Sequence, residues 1–270
     1  MEATQLEQLK SAMKSAWMAG DFGEVAKFTA AEAEKFVARI GIQPGAHVLD
    51  VACGTGNTAI PAARYGAEVI GVDIATNLLA QAESRAKAEG LRAHFQEGDA
   101  EQLPFGDGEF DYVVTMYGAM FAPRPDRVAA ELLRVCKPGG TIAMANWTPE
   151  GFVGKNFRIT AKHVPPPPGI PAPVLWGDEQ IVRQRFGSAV SKLNARRQVA
   201  RFQYPFAPGE VVEFFKQYFG PTKMAFVRMD ADGQARLSAE LESLWAQHNQ
   251  DSNGGTAVEA EYLEVHAVRA

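Results

Sequence analysis

The chain has 270 residues, 46% hydrophobic and 22% charged, an ordinary balance for a soluble globular protein with one core and at most a modest second lobe. Its 27 Lys and Arg against 32 Asp and Glu leave a net charge of -5, with no basic stripe suited to a nucleic acid. No apolar run of about 18 residues suggests a membrane span, the N-terminus lacks a signal peptide's apolar core, and Cys53 and Cys136 sit in contexts that argue against a disulfide. A reduced, cytoplasmic setting is the expectation.

In chain order, Leu6, Leu9, Met13 and Trp17 recur every three or four residues, so residues 5–19 read as an amphipathic helix stopped by "GDFG". "EVAKFTAAEAEKFVARIG" reads as one further helix ending at Gly41. From residue 46, short apolar runs alternate with helical stretches. "AHVLDV" is a strand, "TAIPAARYG" a helix, "AEVIGVD" a strand, and "TNLLAQAESRAKAEG" a helix with Thr76 as its N-cap. "RAHFQEGD" and "FDYVVTMY" are strands, "PDRVAAELLRVCKPGG" a helix closed by Pro and Gly, and "TIAMANW" the fifth strand. Such alternation predicts an α/β fold with a doubly wound, mostly parallel sheet over about residues 46–147.

Beyond this core, "HVPPPPGIPAP" is an extended, stiff connection, since proline fixes φ and lacks a donor. "DEQIVRQRFG" is a helix, Val190 to Tyr204 a long strand whose "NARRQVAR" reads as a solvated face, and "PGEVVEFFKQYFG" and "DADGQARLSAELESLWAQHNQ" are helices. "TAVEAEYLEVHAVRA" is a closing strand. The two late strands can complete a seven-stranded sheet. The expected organisation is an N-terminal helical cap over 1–40, a core over 41–150, a proline-rich loop and helix over 151–188 acting as a substrate lid, and strands and helices over 189–270 that complete the sheet and cap.

The chemistry concentrates in "HVLDVACGTGNTAI" (His47 to Ile60). "GTGNTA" matches Gly-x-Gly-x-x-Gly/Ala, where Gly54 and Gly56 let the backbone approach a ligand faced by the amides that open the next helix. A dinucleotide dehydrogenase would share those glycines and the ribose-binding acid, here Asp73. Asp50 separates the two readings. A carboxylate at the mouth of the first strand repels a diphosphate by several kcal/mol at an effective dielectric of about 20, whereas it attracts a ligand carrying an ammonium and a sulfonium.

The motif "VLDVACGTG", followed by "GVDIA", "EGDAEQLPFGDGEFDYV" and "LRVCKPGGTIAMANW", resembles the ordered motifs of class I S-adenosylmethionine-dependent methyltransferases. The nearest likeness is to the ubiquinone/menaquinone-biosynthesis methyltransferase superfamily and its small-molecule relatives, over roughly Phe36 to Trp147. The resemblance implies S-adenosyl-L-methionine as cofactor and assigns roles residue by residue. Asp50 would orient the amino end of the methionine moiety, and Ala52, Gly54 and Gly56 would pass beneath it. Asp73 would accept the ribose hydroxyls, Ile74 would pack on adenine, and Asp99 with Ala100 would take the adenine edge. Thr115 and Met116 would approach the methyl group. For Ile74, Ala100 and Met116 ordinary packing is the rival reading, and Cys53 reads as a small packed residue.

Methyl transfer from a sulfonium is an in-line displacement in which the protein mainly aligns donor and acceptor, so no triad is expected. Tyr117 and His163 are the candidate catalytic residues, with Asn146 and Trp147 as candidate substrate contacts and Trp17, beside Phe22, as a candidate closure over the cofactor. "TMYGAMF" lacks the Asn/Asp-Pro-Pro-aromatic turn of certain amino-methyltransferases, two distant cysteines cannot hold a metalloid, and the five histidines show no metal spacing. Aromatics in the second half suit an apolar or aromatic small-molecule acceptor, or fill the core. The partner is thus expected to be a small molecule, with a homodimer left open. The rivals are an NAD-dependent oxidoreductase and a cofactor-binding protein without methyl transfer.

Overall fold

The computed structural model describes residues 3–270. Helix α1 (Ala3–Met18) carries the Leu6-to-Trp17 stripe. The single helix expected over 24–41 is divided into α2 (Phe22–Ala26), a 3-10 turn (Lys27–Thr29) and α3 (Ala30–Ile40). The break has a local cause: the Ala26 carbonyl accepts from Thr29 Oγ1 at 3.1 Å and Asn57 Nδ2 at 2.8 Å, so side chains compete with the helical ladder there. Helix α3 closes at Gly41, whose φ of +72° is the left-handed C-cap glycine supplies readily.

Alternation follows: β1 (His47–Val51), α4 (Ala59–Arg64), β2 (Glu68–Asp73), α5 (Thr76–Ala88), β3 (Ala93–Glu97), β4 (Phe110–Met116), α6 (Pro125–Val135) and β5 (Cys136–Trp147). Thr76 is not the N-cap of α5; Ala75 is, and its amide donates to Asp73 Oδ1 at 2.8 Å. The helix expected to run through Gly140 stops at Val135. Pro138 disfavours helical φ/ψ at Lys137, and Cys136 is already extended, opening β5 rather than ending a helix.

The second half holds α7 (Phe152–His163), a 3-10 turn (Pro173–Gly177), α8 (Glu179–Phe186), β6 (Val190–Tyr204), α9 (Pro208–Tyr218), α10 (Gly220–Val227), α11 (Ala231–His248) and β7 (Thr256–Arg269). Helix α8 is capped by Asp178, whose side chain accepts from the Gln180 and Ile181 amides. Helices α7 and α10 were not expected from the sequence.

The seven strands form one sheet in the order β3-β2-β1-β4-β5-β7-β6. β1 to β5 pair in parallel, and β7 joins β5 and β6 antiparallel. The expected mostly parallel seven-stranded α/β fold is therefore the one observed. Helices α4 and α5 cover β2 and β3, α6 covers β4 and β5, and α7 and α11 cover β7. β6 is an edge strand with Lys192, Arg196, Arg197 and Arg201 exposed, charges that blunt an open edge. Among the described residues no helix is long and apolar enough to cross a membrane. Strand order reverses between β1 and β4, so the crevice for a ligand opens beyond the carboxyl ends of those strands.

Candidate active site

At that switch point lies a cavity of about 1120 Å³, counting its open mouth. Its floor comes from loops at the ends of β1, β2 and β4, and α1 to α3 close over it with Met13, Trp17, Phe22, Thr29 and Ala33. Both loop starts are strained. Ala52 after β1 has φ +57° and Tyr117 after β4 has φ +60°, a region non-glycine residues seldom occupy. The two turns touch: a Cβ on Gly118 would lie 2.4 Å from the Ala52 carbonyl oxygen, so only glycine lets the β4 loop lie against the β1 loop.

Of the residues singled out from the sequence, Trp17, Ala52, Gly54, Asp73, Ile74, Asp99, Ala100, Met116 and Tyr117 line this cavity. Gly54 has φ +54° and its amide donates to Asp73 Oδ2 at 2.8 Å, which joins the β1 loop to the end of β2. Gly56 is not at the surface of the cavity. Its φ is +80°, and a Cβ there would meet Ala82, Ile60 and Phe95 at 3.3–3.4 Å, so it serves loop-to-core packing. Thr115 also stands back, buried, with its Oγ1 accepting the Ala119 amide at 3.1 Å.

Asp50 lies beneath the loop, 1% exposed, and its Oδ2 has no hydrogen-bond partner among the described residues. Burial pushes its carboxyl well above the usual carboxylate range; the Ala59 amide pulls down and the nearby Asp73 charge pushes further up. Asp73 is raised by burial too, against the pull of the Ala75, Gly54 and Ile74 amides. Burial likewise raises the Cys53 thiol, helped by the charges of Asp50 and Asp73, so this cysteine is no thiolate nucleophile. Burial thus disfavours the charged form of each of these groups.

Tyr117 stacks face to face on Trp147, centroids 3.7 Å apart, and meets Tyr262 edge-on at 5.5 Å. Its hydroxyl oxygen is sealed from solvent and has no partner among the described residues. Burial, then the neighbouring Tyr262 and Glu32, push the phenol well above its ordinary value, with only Arg39 opposing. Trp147 is thus behind Tyr117 rather than in the cavity, and Asn146 is fully buried outside it. His163 lies on α7, away from the cavity, its Nε2 3.0 Å from Glu240 Oε1.

The 151–188 segment, expected as a lid, contributes no lining side chain: α7 packs on α11 and β7, and the Pro173–Gly177 turn packs on β5. The late aromatics Phe152, Phe202, Tyr204, Phe215 and Trp245 contact one another in the interior. The closure comes from the other end of the chain. Trp17 meets Phe22, Phe121 and Phe219 edge-on at 5.1–5.7 Å. Lys10 was missed in the sequence; its Nζ lies 2.5 Å from Asp99 Oδ2 and 2.6 Å from the buried Glu101 carboxylate, tying α1 across the rim. Glu101 is also held by Arg124 at 2.7 Å.

Residues 48–140 match the family described as a methyltransferase domain. The chain is 42% identical over 233 residues to the uncharacterized protein Rv1403c of Mycobacterium tuberculosis, covering 84% of this chain and 85% of that one. It is 38% identical over 123 residues to demethylmenaquinone methyltransferase of Thermus thermophilus, covering 44% of this chain and 56% of the relative. Among solved structures, the YcgJ protein from Bacillus subtilis matches with a TM-score of 0.61 at 19% identity, over 88% of this chain and 98% of that chain, a likeness of fold.

Proposed function

The chain belongs to the class I S-adenosylmethionine-dependent methyltransferases, and on that premise we propose that it methylates an O, N, S or C atom of a small, apolar or aromatic molecule held in the cavity between α1–α3 and the β4 loop. The observation that carries the reading is the pair of buried carboxylates with no cation beside them among the described residues. Asp50 has an orphaned Oδ2, and Asp73 has only backbone amides as partners. A buried carboxyl without a counter-charge is destabilised, and a cationic ligand relieves it. The donor set fits S-adenosylmethionine, which when bound supplies an electrophilic methyl on a sulfonium.

The chain's own residues then have distinct tasks. Asp50 draws the ammonium end of the methionine moiety toward the β1 loop, directly or through water. Asp73 keeps lone pairs free for ribose hydroxyls while its amide bonds hold the carboxylate still. Ile74 and Ala100 flank the adenine, and Asp99 faces its amino edge. Met116 and Tyr117 stand where the methyl group meets the acceptor. The aromatic closure by Trp17 and Phe22 excludes water from that meeting, the alignment term being worth up to roughly 7–11 kcal/mol in favourable cases. A dinucleotide would instead place a diphosphate against Asp50, two like charges in a desolvated loop.

Calorimetric titration with S-adenosylhomocysteine and, separately, NADH tests this reading. Binding of the first and not the second is expected, followed by formation of S-adenosylhomocysteine from S-adenosylmethionine with at least one member of an aromatic acceptor panel. Binding of NADH alone overturns it, and S-adenosylhomocysteine binding without turnover on any acceptor leaves a binding protein in its place. His163, remote from the cavity, is given no part in the reaction.

A further inference from the structure

We propose that the acceptor carries no formal charge, a reading that rests on the methyl-transfer function above and narrows it: carboxylic acids, phosphate esters and protonated amines are refused. Two helical stripes roof the cavity. Met13 and Trp17 recur on α1, and Phe22, Ala26, Thr29 and Ala33 follow one another along α2, the 3-10 turn and α3. Their spacing of three or four residues is the one that keeps a single helix face toward the cavity. None of these six side chains is ionisable. Phe121 of the β4 loop, which also lines the cavity, closes edge-on against Trp17 at 5.1 Å.

Among the described residues the charged side chains that line the cavity are Lys10, Asp73 and Asp99, and each is already engaged. Lys10 Nζ lies 2.5 Å from Asp99 and 2.6 Å from Glu101, so two carboxylates answer that cation. Asp73 accepts the Gly54 and Ala75 amides at 2.8 Å and belongs to the ribose end of the site. The uncharged polar groups of the roof and its nearest loop are turned inward as well. Thr29 donates to the Ala26 carbonyl at 3.1 Å, and Asn57 donates to the same carbonyl and accepts from Arg85, both at 2.8 Å. Arg85 stands behind that loop, its Nη1 also 2.6 Å from the Thr55 carbonyl, and does not line the cavity. Tyr117 lines the cavity but keeps its hydroxyl sealed from it.

An ion brought against this roof leaves water and finds no counter-charge, which costs far more than burying a neutral molecule of the same shape. The methyl donor does not supply the missing charge. S-adenosylmethionine carries an ammonium, a sulfonium and a carboxylate, one net positive charge, and Asp50 and Asp73 answer it with two carboxylates. No excess positive charge is left to hold an anionic acceptor. A cationic acceptor meets the sulfonium as a like charge at short range. A neutral acceptor escapes both penalties and gains from burial against Trp17, Phe22 and Phe121. The roof therefore sorts acceptors by charge.

The test is calorimetric titration of naphthalene probes of similar shape into the full chain saturated with S-adenosylhomocysteine, near neutral pH. 2-Naphthol and 2-naphthamide are neutral there, 2-naphthoate is an anion and naphthalen-2-ylmethylamine is a cation. Without a sulfonium in the site, the cation is opposed by the roof alone, which makes its exclusion the stricter test. Both neutral probes are expected to bind roughly tenfold or more tightly than either ion. Met13→Lys sets a cation on the half-buried α1 stripe. It is expected to raise the affinity for 2-naphthoate relative to its isostere 2-naphthamide by about tenfold. A parent chain that holds either ion as tightly as the neutral probes, or that holds none of the four, overturns the proposal. An unchanged ratio in Met13→Lys overturns it too, because the probes then bind away from the roof. Failure to bind S-adenosylhomocysteine at all sinks the methyl-transfer reading instead, so the two failures are told apart.

Discussion

Two pairs of buried acids stand about a sheet's width apart in function. Glu32 and Glu264, between α3 and β7, are 8% and 5% exposed; Asp50 and Asp73, at the ends of β1 and β2, are 1% and 9% exposed. Burial alone does not distinguish them, but their partners do. Arg39 reaches Glu264 at 2.7 Å and Glu32 at 3.1 Å, Tyr262 donates to Glu32 at 2.6 Å, and His266 lies 3.1 Å from Glu264. Burial pushes the Glu264 carboxyl up, yet hydrogen bonds from His266 and Arg39 win and hold it below the usual range. Asp50 and Asp73, with amides only, end above it. An acid that finds its cation within the chain serves the fold, and an acid left without one is the candidate for a cationic ligand.

The largest expected effect tests the paired side. Arg39→Met removes the cation shared by two buried carboxylates, leaving Glu32 only the distal Lys35 at 3.3 Å and Glu264 only His266 at 3.1 Å as cationic partners. Urea unfolding should show a loss of about 3 kcal/mol, the low end for a broken buried pair because these partners remain and the guanidinium side chain is 32% exposed. The folded variant should still bind S-adenosylhomocysteine within about twofold of the parent, given how far additivity holds for sites without shared partners. Next comes the unpaired side. Asp50→Asn should weaken S-adenosylhomocysteine by about 2 kcal/mol, some thirtyfold, for want of a charged hydrogen-bond partner. Its unfolding midpoint should stay level or rise, since the change removes a burial penalty. A variant that unfolds early yet binds normally would put Asp50 with the structural acids and break the contrast.

The pH dependence sharpens the same contrast with opposite signs. Burial raises the folded Asp50 and Asp73 above their unfolded values, so the ligand-free folded chain holds more protons across that window. Their contribution to stability is full below the ordinary carboxylate range and is lost as pH rises from that range through their raised folded values. Glu264 runs the other way: its contribution is present above the ordinary range and is lost as pH drops through its depressed value. Binding a cationic ligand pulls Asp50 and Asp73 back down and releases protons. S-adenosylmethionine affinity should therefore climb with pH, by up to about tenfold per unit for each proton released. Calorimetry in two buffers of different ionisation enthalpy measures that proton directly, and Asp50→Asn should reduce it.

Much of this was legible in the sequence because the relevant signals are local. Apolar runs of strand length separated by helical spacing yielded β1 to β5, and an acid closing each of the first two runs marked Asp50 and Asp73. What escaped depends on contacts between distant segments. Gly154, at the third position of α7, discourages a helix reading, but a Cβ there would meet the Pro149 carbonyl at 2.1 Å, so the glycine lets the turn leaving β5 fold tightly against the first turn of the helix, a local exception to that rule. Gly220 hides α10 in the same way: it opens the helix beside Pro221, and a Cβ on it would lie 1.9 Å from the Ala16 carbonyl of α1. The proline-rich segment, expected as a lid from its composition, lines no part of the cavity, whereas Trp17 and Phe22, the other closure the sequence offered, do line it. Lys10 read as one surface base among many until the fold set it beside Asp99 and Glu101.

Lys10 also supplies the smallest and most discriminating prediction, because it is a cation from the chain placed on an acid assigned to the ligand. Its Nζ lies 2.5 Å from Asp99, whose other oxygen accepts the Glu101 amide at 2.9 Å, so an adenine amino group bound there as proposed would share a carboxylate already engaged on both sides. Glu101, buried, keeps Arg124 at 2.7 Å if the lysine is removed. Lys10→Met retains most of the apolar stem over the cavity rim and deletes only the charge. Stability should fall by no more than about 1 kcal/mol, as for a partly exposed ion pair, while S-adenosylhomocysteine binding tightens by about two- to threefold as Asp99 is freed, an effect of a few tenths of a kcal/mol. Adenosine alone should show the same gain, since only the adenine end meets Asp99. If affinity falls instead, Lys10 holds α1 closed over the ligand more strongly than it competes for Asp99, and this acid then belongs with Glu32 and Glu264 as one whose cation serves the fold.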